Sequence, residues 1–196
     1  MASFSKAEEF TKGVEGGYIN DPRDRGGETI FGVARKANPE WPGWQMLDEF
    51  KKAPKAFPGN AEKSAELYEK ARELYRAKYC NPLGLHAVNG DRIAGAVYDF
   101  AVNAGTRRAA EILQRALNFL NRSGKTFPEL LVDGNVGAKT IDAVNKLHSV
   151  GEEELVFLVF SSLRVSFYVQ IAEGGGQDIF ARSWLGRCGF TTKGKK

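Results

Sequence analysis

Residues 91–124 read DRIAGAVYDFAVNAGTRRAAEILQRALNFLNRSG, and this stretch predicts two consecutive helices. Asp91 can cap the start of the first helix, and Gly105 can end it. The second helix ends near Gly124. The apolar positions of the pair recur three or four residues apart, which puts them on one face of each helix. They are Ile93, Val97, Phe100 and Ala104, then Leu113, Ala116, Leu117 and Leu120.

Helical patterns also occupy the sequence on either side of this pair. Near the N-terminus, Ser5 and Glu8 form a capping box, so a first helix is predicted from Lys6 to the glycine pair at 16–17. The segment at about 152–172 is the most apolar and is expected at the centre of the fold. Other stripes at helical spacing predict helices at about 61–79, within 132–151 and at about 177–187.

Strand signals are weak. Residues 21–59 contain five prolines and read as loops, and only ETIFGV at 28–33 is compatible with a short β-hairpin. We therefore predict a mainly α fold with a small β-hairpin near residues 28–33. A change of composition near 81–91 divides the chain into 1–90 and 91–196, but it is too short for a linker. One compact domain made of these two parts is expected.

The charge balance suits an anionic partner. The chain has 196 residues, and its 28 Lys and Arg exceed its 24 Asp and Glu, which gives a formal charge of +4. A solvated basic surface without a partner is the alternative. The basic residues are scattered and no motif for reading nucleic acid is present, so we do not expect a nucleic-acid partner.

Several chemistries lack their residues. The sequence has no phosphate-binding loop, dinucleotide fingerprint or nucleophile elbow. His86 and His148 lie far apart and outside any zinc spacing, and DPRDRG is not a complete calcium loop, so neither a metal nor a cofactor is expected. Cys80 and Cys188 are predicted to be free thiols, with one long-range disulfide as the alternative.

The sequence also bears on export and membranes. The first 17 residues contain no apolar run typical of a signal peptide. The apolar run LVFLVF at 155–160 continues into Ser161, Ser162 and Arg164, so we expect it to be too short for a membrane span and predict no membrane insertion.

Carboxylate chemistry remains, and VEGGYINDPRDRGGETIFGV at 14–33 can supply it. Glycoside hydrolysis needs a protonated carboxyl group and usually a second carboxylate or polar group. Glu15 falls at the end of the first predicted helix, where the helix dipole favours the protonated form. Asp24 could return opposite Glu15, and the Thr29 hydroxyl could hold a water. The alternative is a solvated turn in which arginines offset the acids, and Glu28 is expected at the surface.

The same stretch resembles a known family. Residues 15–33 match E-G-G-Y followed by D-P-x-D-x-G-G-x-T-x-x-G, a signature similar to that of the glycoside hydrolase family 108 lysozymes of phages and bacterial secretion loci. Cys80 stands where that family usually has an aromatic residue, and the spacing from Asp24 to Thr29 is one residue shorter than in phage-type lysozymes. The resemblance continues through YRAKYCNPLG at 75–84, VYDFAVNAGTRRAAEILQRALN at 97–118, VDGNVGAKTIDAVN at 132–145 and FARSWLGR at 180–187.

The resemblance implies a lysozyme-like, two-lobed helical fold. Residues 1–90 would be the muramidase catalytic part, and residues 91–196 would complete the cleft and contain the part predicted to bind peptidoglycan. It implies cleavage of the β-1,4 bond between N-acetylmuramic acid and N-acetylglucosamine, with Glu15 as the general acid. Asp24 or Thr29 would hold the water, and Asp21 is an alternative to Asp24.

Substrate-binding positions follow from the same resemblance. Asn103 resembles a residue on the helix that faces the acid, and Asp99 lies one turn earlier on the same face; helix capping or core hydrogen bonding is the alternative for both. Tyr18 could pack against a sugar ring or close the loop. Trp41 and Trp44 could line a subsite or pack beneath the proline-rich loop.

The predicted function is therefore that of an endolysin-like N-acetylmuramidase. Its partner would be the peptidoglycan glycan strand, and we expect a monomer. Synthesis in the bacterial cytoplasm would be followed by holin-type release or another route of export. A lytic transglycosylase on the same bond and a non-catalytic cell-wall-binding or secretion-helper protein are the alternatives.

Overall fold

The structure is a computed structural model that describes residues 17–21, 26–175, 179 and 181–188. It is mainly α with one small antiparallel sheet, which confirms the predicted fold class. The predicted helix from Lys6 lies outside the described residues. The chain divides into two compact units, one with the described residues up to Lys78 and one with those from Tyr79 onward.

The first unit contains the predicted hairpin. Strand β1, Thr29–Ile30, pairs with β2, Val33–Ala34, through a two-residue turn. Both turn residues have positive φ, 49° at Phe31 and 73° at Gly32. Positive φ at both central positions is typical of the tight turn whose twist suits a two-residue hairpin.

The described part of the first unit also contains three helices, and their bounds differ from the prediction. Helix α1, Gly43–Lys51, lies within the stretch that was predicted to be loop. Pro42 immediately precedes this helix and Pro54 follows it, so no proline interrupts it. The long helix predicted from residue 61 is divided into α2, Gly59–Glu62, and α3, Ala65–Tyr75. The division falls at Ser64, whose side chain accepts a hydrogen bond from Leu67 N and thereby caps α3. A π-turn at Arg76–Cys80 follows α3.

The second unit is a set of packed helices. After 3₁₀ turns at Asn81–Leu83 and Leu85–Ala87, the helices match the predicted segments closely. They are α4, Asp91–Ala104; α5, Thr106–Leu120; α6, Ala138–Ser149; α7, Glu153–Gly175; and α8, Ala181–Arg187. Gly105 ends α4 with φ of 89°, as its position in the sequence predicts.

Helix α7 is the central helix of this unit, as predicted, and packs against α4, α5, α6 and α8. Its Phe160 and Tyr168 meet Phe100 of α4 in edge-to-face contacts, with ring centroids 6.1 Å and 5.8 Å apart. Such contacts add to the stabilisation that comes from apolar burial. The core therefore fixes α7 against α4 along several turns.

Helix α7 is also long and apolar enough to cross a membrane. An 18-residue window within it has a mean hydropathy of 1.7, and 28% of that window is buried inside the protein. The expectation that this segment is too short to span a membrane was therefore wrong, because the helix extends well beyond LVFLVF. Core helices of soluble proteins pass the same test, and the absence of membrane insertion stays a prediction.

Candidate functional site

The carboxylate-rich motif folds back on itself. Ile19 and Thr29 form an antiparallel bridge, in which Ile19 N donates to Thr29 O at 2.9 Å and Thr29 N donates to Ile19 O at 2.8 Å. The chain around Tyr18 therefore lies beside β1. Glu15 and Asp24, the predicted catalytic carboxyls, lie outside the described residues, so their roles stay predictions.

Tyr18 is anchored at both ends. Its backbone N donates to Glu62 Oε1 at 2.8 Å, and its hydroxyl donates to Glu28 Oε1 at 2.8 Å. Its ring meets Phe57 edge to face at 4.6 Å. Burial, followed by the hydrogen bond and the charge of Glu28, raises the pKa of the Tyr18 hydroxyl above its ordinary value, so the hydroxyl stays a donor. These contacts hold the start of the motif against the rest of the first unit.

Glu28 is the centre of a charged cluster. Its side chain is only 10% exposed and pairs with Arg35 at 3.0 Å and Lys51 at 2.5 Å, in addition to Tyr18. Asp48 joins the cluster through both cations, at 2.8 Å from each. The expectation that Glu28 is a surface residue was wrong, because the fold brings two cations and a phenol to it from three other segments.

Thr29 lies at the start of β1 and is partly buried. Its hydroxyl donates to the carbonyl of Gly27 at 3.1 Å. The proton of the hydroxyl is thus used within the turn, while the oxygen retains lone pairs that can accept from a water. This geometry is compatible with the predicted role of holding a water, which stays a prediction.

Trp41 and Trp44 pack inside the first unit. Each is 5% exposed, and their rings meet edge to face at 4.9 Å. Trp41 Nε1 donates to Lys70 O at 3.2 Å, and Trp44 Nε1 donates to Asn38 O at 2.7 Å. Of the two alternatives for these residues, the contacts favour packing beneath the proline-rich loop over a sugar subsite.

Asp99 lies in the core of the second unit. It is 1% exposed, and its two carboxylate oxygens accept hydrogen bonds from two arginines. Arg164 Nη2 donates to Oδ2 at 2.6 Å, and Arg187 Nη1 donates to Oδ1 at 2.8 Å. A buried carboxylate requires such partners, because an unpaired charge is costly away from water. These contacts give Asp99 a structural role, and its predicted contact with sugar stays a prediction.

Asn103 lies one turn further along α4 and is exposed. Its Oδ1 accepts a hydrogen bond from the Tyr168 hydroxyl at 2.9 Å. Tyr168 in turn stacks on Trp184 of α8, with ring centroids 4.8 Å apart and ring planes 13° apart. Burial raises the pKa of Tyr168, so its hydroxyl remains protonated and fixes the orientation of the Asn103 amide. The amide NH₂ of Asn103 has no partner among the described residues and is free to donate.

Three amides, two on α5 and one at its C-terminal cap, hold the chain that follows the helix. Gln114, Asn118 and the cap residue Asn121 lie on one face because they are spaced four and three residues apart. Asn118 Nδ2 donates to Leu130 O at 2.8 Å, and Leu130 N donates back to Asn118 Oδ1 at 2.9 Å. Asn121 Oδ1 likewise accepts from Phe127 N at 3.0 Å. We call this set the amide ladder.

Gln114, the first member of the amide ladder, organises the turn at 133–136. Its Oε1 accepts from Asp133 N at 3.1 Å and from Gly134 N at 3.0 Å. Its Nε2 donates to Asp133 Oδ1 and to Asn135 O, both at 2.9 Å. One buried side chain therefore satisfies two donors and two acceptors of the turn. The helical periodicity did not predict this role. The usable signal in the sequence was a glutamine among the apolar residues of the buried face.

Cys80 and Cys188 are both buried thiols that form no disulfide, as the sequence predicts. Burial raises the pKa of the Cys188 thiol, which makes it unreactive. Within the part of the chain that the structure describes, no three His, Cys, Asp or Glu side chains are grouped so that they could hold a metal ion.

The fold is mainly α with one small hairpin, and the described part of the glycine-rich motif pairs with that hairpin through Ile19 and Thr29. The family model of glycosyl hydrolase 108 matches residues 9–105, and the model of a predicted peptidoglycan domain matches residues 108–188. The chain belongs to glycosyl hydrolase family 108 and carries that peptidoglycan domain. These two parts together make it a peptidoglycan hydrolase.

A solved structure is also similar to this chain. The structure of Brucella abortus SagA aligns with a TM-score of 0.61 over 95% of this chain and 89% of that chain, at 24% sequence identity. At that level of identity the likeness shows the fold alone. No curated protein sequence matches the chain.

The two family models meet near residues 105–108, whereas the two compact units meet at Lys78 and Tyr79. Helix α4 therefore belongs to the family 108 match by sequence and to the second unit by packing. The division predicted near residue 90 stays a prediction.

Proposed function

We propose that the chain is an N-acetylmuramidase, which hydrolyses the β-1,4 bond between N-acetylmuramic acid and N-acetylglucosamine with Glu15 as the general acid. The proposal combines family membership with the motif around Glu15. The observation that carries it is the backbone bridge between Ile19 and Thr29, because it joins the chain that follows Glu15 to the strand that carries Thr29.

The reaction needs a proton donor on the leaving oxygen and a nucleophile at the anomeric carbon. Glu15 protonates the glycosidic oxygen as the bond breaks. A water held by Asp24 or by the Thr29 oxygen attacks the anomeric carbon, and a carboxylate, Asp24 or Asp21, takes its proton. A separation of the two carboxyls of about 6.5–9.5 Å would leave room for this water and give inversion of the anomeric centre. At about 5–5.5 Å the second carboxylate would itself attack the anomeric carbon, water would then hydrolyse the glycosyl-enzyme, and the configuration would be retained.

Three further residues are proposed to serve substrate binding. Tyr18 presents a ring whose hydroxyl is fixed by Glu28, and its proposed role is to pack against a sugar. The Asn103 amide NH₂ has no partner among the described residues, and such a donor suits the carbonyl of an N-acetyl group. Asp99 would act by positioning α4, since both its carboxylate oxygens are bound to guanidinium groups.

The test is digestion of purified peptidoglycan by the wild type, Glu15→Gln and Glu49→Gln, followed by mass spectrometry of the soluble fragments. Glu49 is a matched control, because its side chain is 69% exposed and pairs only with Lys52 among the described residues. We expect reducing N-acetylmuramic acid ends from the wild type and the control. Glu15→Gln should lower the rate by about 10²–10⁴-fold, the usual contribution of a general acid.

Other outcomes point to the alternatives. Anhydro ends, lighter by one water, would identify a lytic transglycosylase. Reducing N-acetylglucosamine ends would show that the enzyme cleaves the other glycosidic bond of the strand, from N-acetylglucosamine to N-acetylmuramic acid. Full activity of a folded Glu15→Gln protein would overturn the assignment of the acid, and a folded wild type that releases no fragments would favour a binding role. Comparing Asp24→Asn, Asp21→Asn and Thr29→Val would then identify the group that holds the water.

A further inference from the structure

The second unit contains a pocket that the proposed catalytic residues do not use. It has a cavity volume of about 450 Å³ and is lined by the turn at 82–83, by Thr106 and Arg107 at the start of α5, and by the turn at 133–136. This volume is in the range of sites that hold small ligands. The described lining residues all belong to the second unit. The turn at 133–136 lies within the match to the peptidoglycan domain, whereas Pro82 and Leu83 lie within the match to glycosyl hydrolase 108.

The wall formed by the turn at 133–136 is pre-organised. Gln114 makes four hydrogen bonds to it, and Asn135 N donates to Asp133 Oδ1 at 2.8 Å. Gly134 has φ of 76°, and a Cβ there would lie 2.6 Å from Arg107 Cγ. The turn therefore packs directly on the aliphatic part of Arg107, and a ligand would meet a wall that needs little ordering.

The pocket presents one cation and one anion that do not pair with each other. Arg107 is 82% exposed, and its ion pair among the described residues is with Glu111 on the same helix, at 3.1 Å. An exposed pair of this kind is weak and easily exchanged for a ligand carboxylate. Asp133 Oδ1 accepts hydrogen bonds from Gln114 Nε2 and Asn135 N, and the carboxylate is exposed, so a ligand can approach it. The hydrogen bond from Gln114 lowers the pKa of Asp133, so it is a carboxylate at neutral pH.

The lining also indicates the class of ligand. None of the described residues that line this pocket is aromatic, whereas sugar rings are usually recognised by stacking on an aromatic face. Pro82, Leu83 and Val136 supply an apolar surface for short aliphatic groups. A guanidinium and a carboxylate in one pocket with such a surface suit a short peptide that bears both a carboxylate and an ammonium group.

We propose that this pocket binds the stem peptide of peptidoglycan, with Arg107 on a peptide carboxylate and Asp133 on the ammonium group of its diamino acid. The proposal rests on the proposed function, because a hydrolase of the glycan strand meets these peptides along its substrate. The pocket would hold the strand while the bond is cleaved elsewhere on the protein.

The test is calorimetric titration of the full chain with the synthetic tripeptide L-alanyl-γ-D-glutamyl-meso-diaminopimelate. Wild type, Arg107→Ala, Asp133→Asn and Arg115→Ala are compared. Asp133→Asn keeps the Oδ1 acceptor that the turn needs and removes only the charge. Arg115 is the matched control, since it is exposed on the same helix and lies outside the pocket. We expect saturable binding, a Kd raised about tenfold or more by each pocket variant, and no change with the control.

Unchanged affinity in both pocket variants, or no binding by a folded wild type, would overturn the proposal. If Arg107→Ala does not fold, Arg107→Gln keeps the aliphatic part of the side chain and replaces it in the comparison. Digestion of glycan strands stripped of their peptides separates this proposal from the proposed function. Cleavage of stripped strands by a protein that binds no peptide would support the proposed function and overturn the peptide pocket. Peptide binding by a protein that cleaves no strand would support the peptide pocket and overturn the muramidase activity.

Discussion

Gly32 occupies a position where the hairpin leaves no room for a side chain. Its φ is 73°, and a Cβ built on it would lie 2.6 Å from the Tyr75 hydroxyl of α3. Two separate requirements, a left-handed backbone and a close approach, therefore exclude other residues. Gly32 is also part of the family motif, and these two requirements explain why the motif has glycine at this position.

Gly32→Ala is expected to destabilise the protein by about 1–3 kcal/mol, because alanine is strained at positive φ and the Tyr75 hydroxyl must move. Chemical denaturation followed by circular dichroism measures the change. Gly59→Ala is the matched control, since nothing lies within 4 Å of a Cβ at that position. It should be neutral or stabilising by up to about 1 kcal/mol. Equal losses in the two variants would contradict the steric explanation.

At the scale of elements, the amide ladder explains how an irregular segment is ordered. Residues 127–135 form neither strand nor helix, so their backbone groups need partners elsewhere. Gln114 and Asn118 of α5 and the cap residue Asn121 provide them from one face, at the spacing of successive helical turns. The wall of the peptide pocket is thus attached to a rigid helix.

Replacing Gln114 by leucine should free this turn while preserving α5. The variant leaves Asp133 N and Gly134 N without their acceptor, at a cost of about 1–3 kcal/mol. Hydrogen exchange measured at residues 133 and 134 should accelerate, while exchange within α5 stays slow. Gln170→Leu, at an exposed position of α7, is the control. It should change neither the exchange at residues 133 and 134 nor the exchange within α5. Unchanged protection at 133 and 134 in Gln114→Leu would show that the turn does not depend on the ladder.

At the scale of the whole molecule, distant parts of the sequence meet around Asp99. Arg164 and Arg187 lie 65 and 88 positions further along the chain, on α7 and α8. Arg164 is fully buried and also donates to the carbonyls of Ala96 and Arg187, at 3.4 Å and 3.3 Å. This cluster joins three helices of the second unit through charge rather than apolar contact alone.

Asp99→Asn should therefore lower the stability of the second unit strongly. The variant leaves the buried Arg164 without its counter-ion, and removing one partner of a buried pair costs about 3–5 kcal/mol. Thermal unfolding measures the change. Asp142→Asn is the control, because Asp142 is exposed on α6 of the same unit. The melting temperature of this variant should match that of the wild type. A melting temperature of Asp99→Asn equal to that of the control would contradict a structural role for the ion cluster.

The sequence by itself determined the elements whose signals are local. Apolar spacing of three and four residues predicted α4 to α7, Gly105 predicted the end of α4, and ETIFGV predicted the hairpin. The sequence did not predict α1, because the prolines on either side of it are typical of loops. It did not predict the break before α3 either, because Ser64 interrupts an otherwise continuous helical pattern. The family motif, being a run of neighbouring residues, was also readable from the sequence.

Only the tertiary structure decided which polar residues are paired. Glu28 looks like a surface acid in a turn, yet Arg35, Lys51 and Tyr18 converge on it. Asp99 shares a helical face with Asn103, yet the first is buried between arginines and the second is exposed. Periodicity tells which side of a helix a residue occupies, but the partner on that side comes from segments tens of residues away. Burial and charge pairing are therefore decided by the packing of the whole chain.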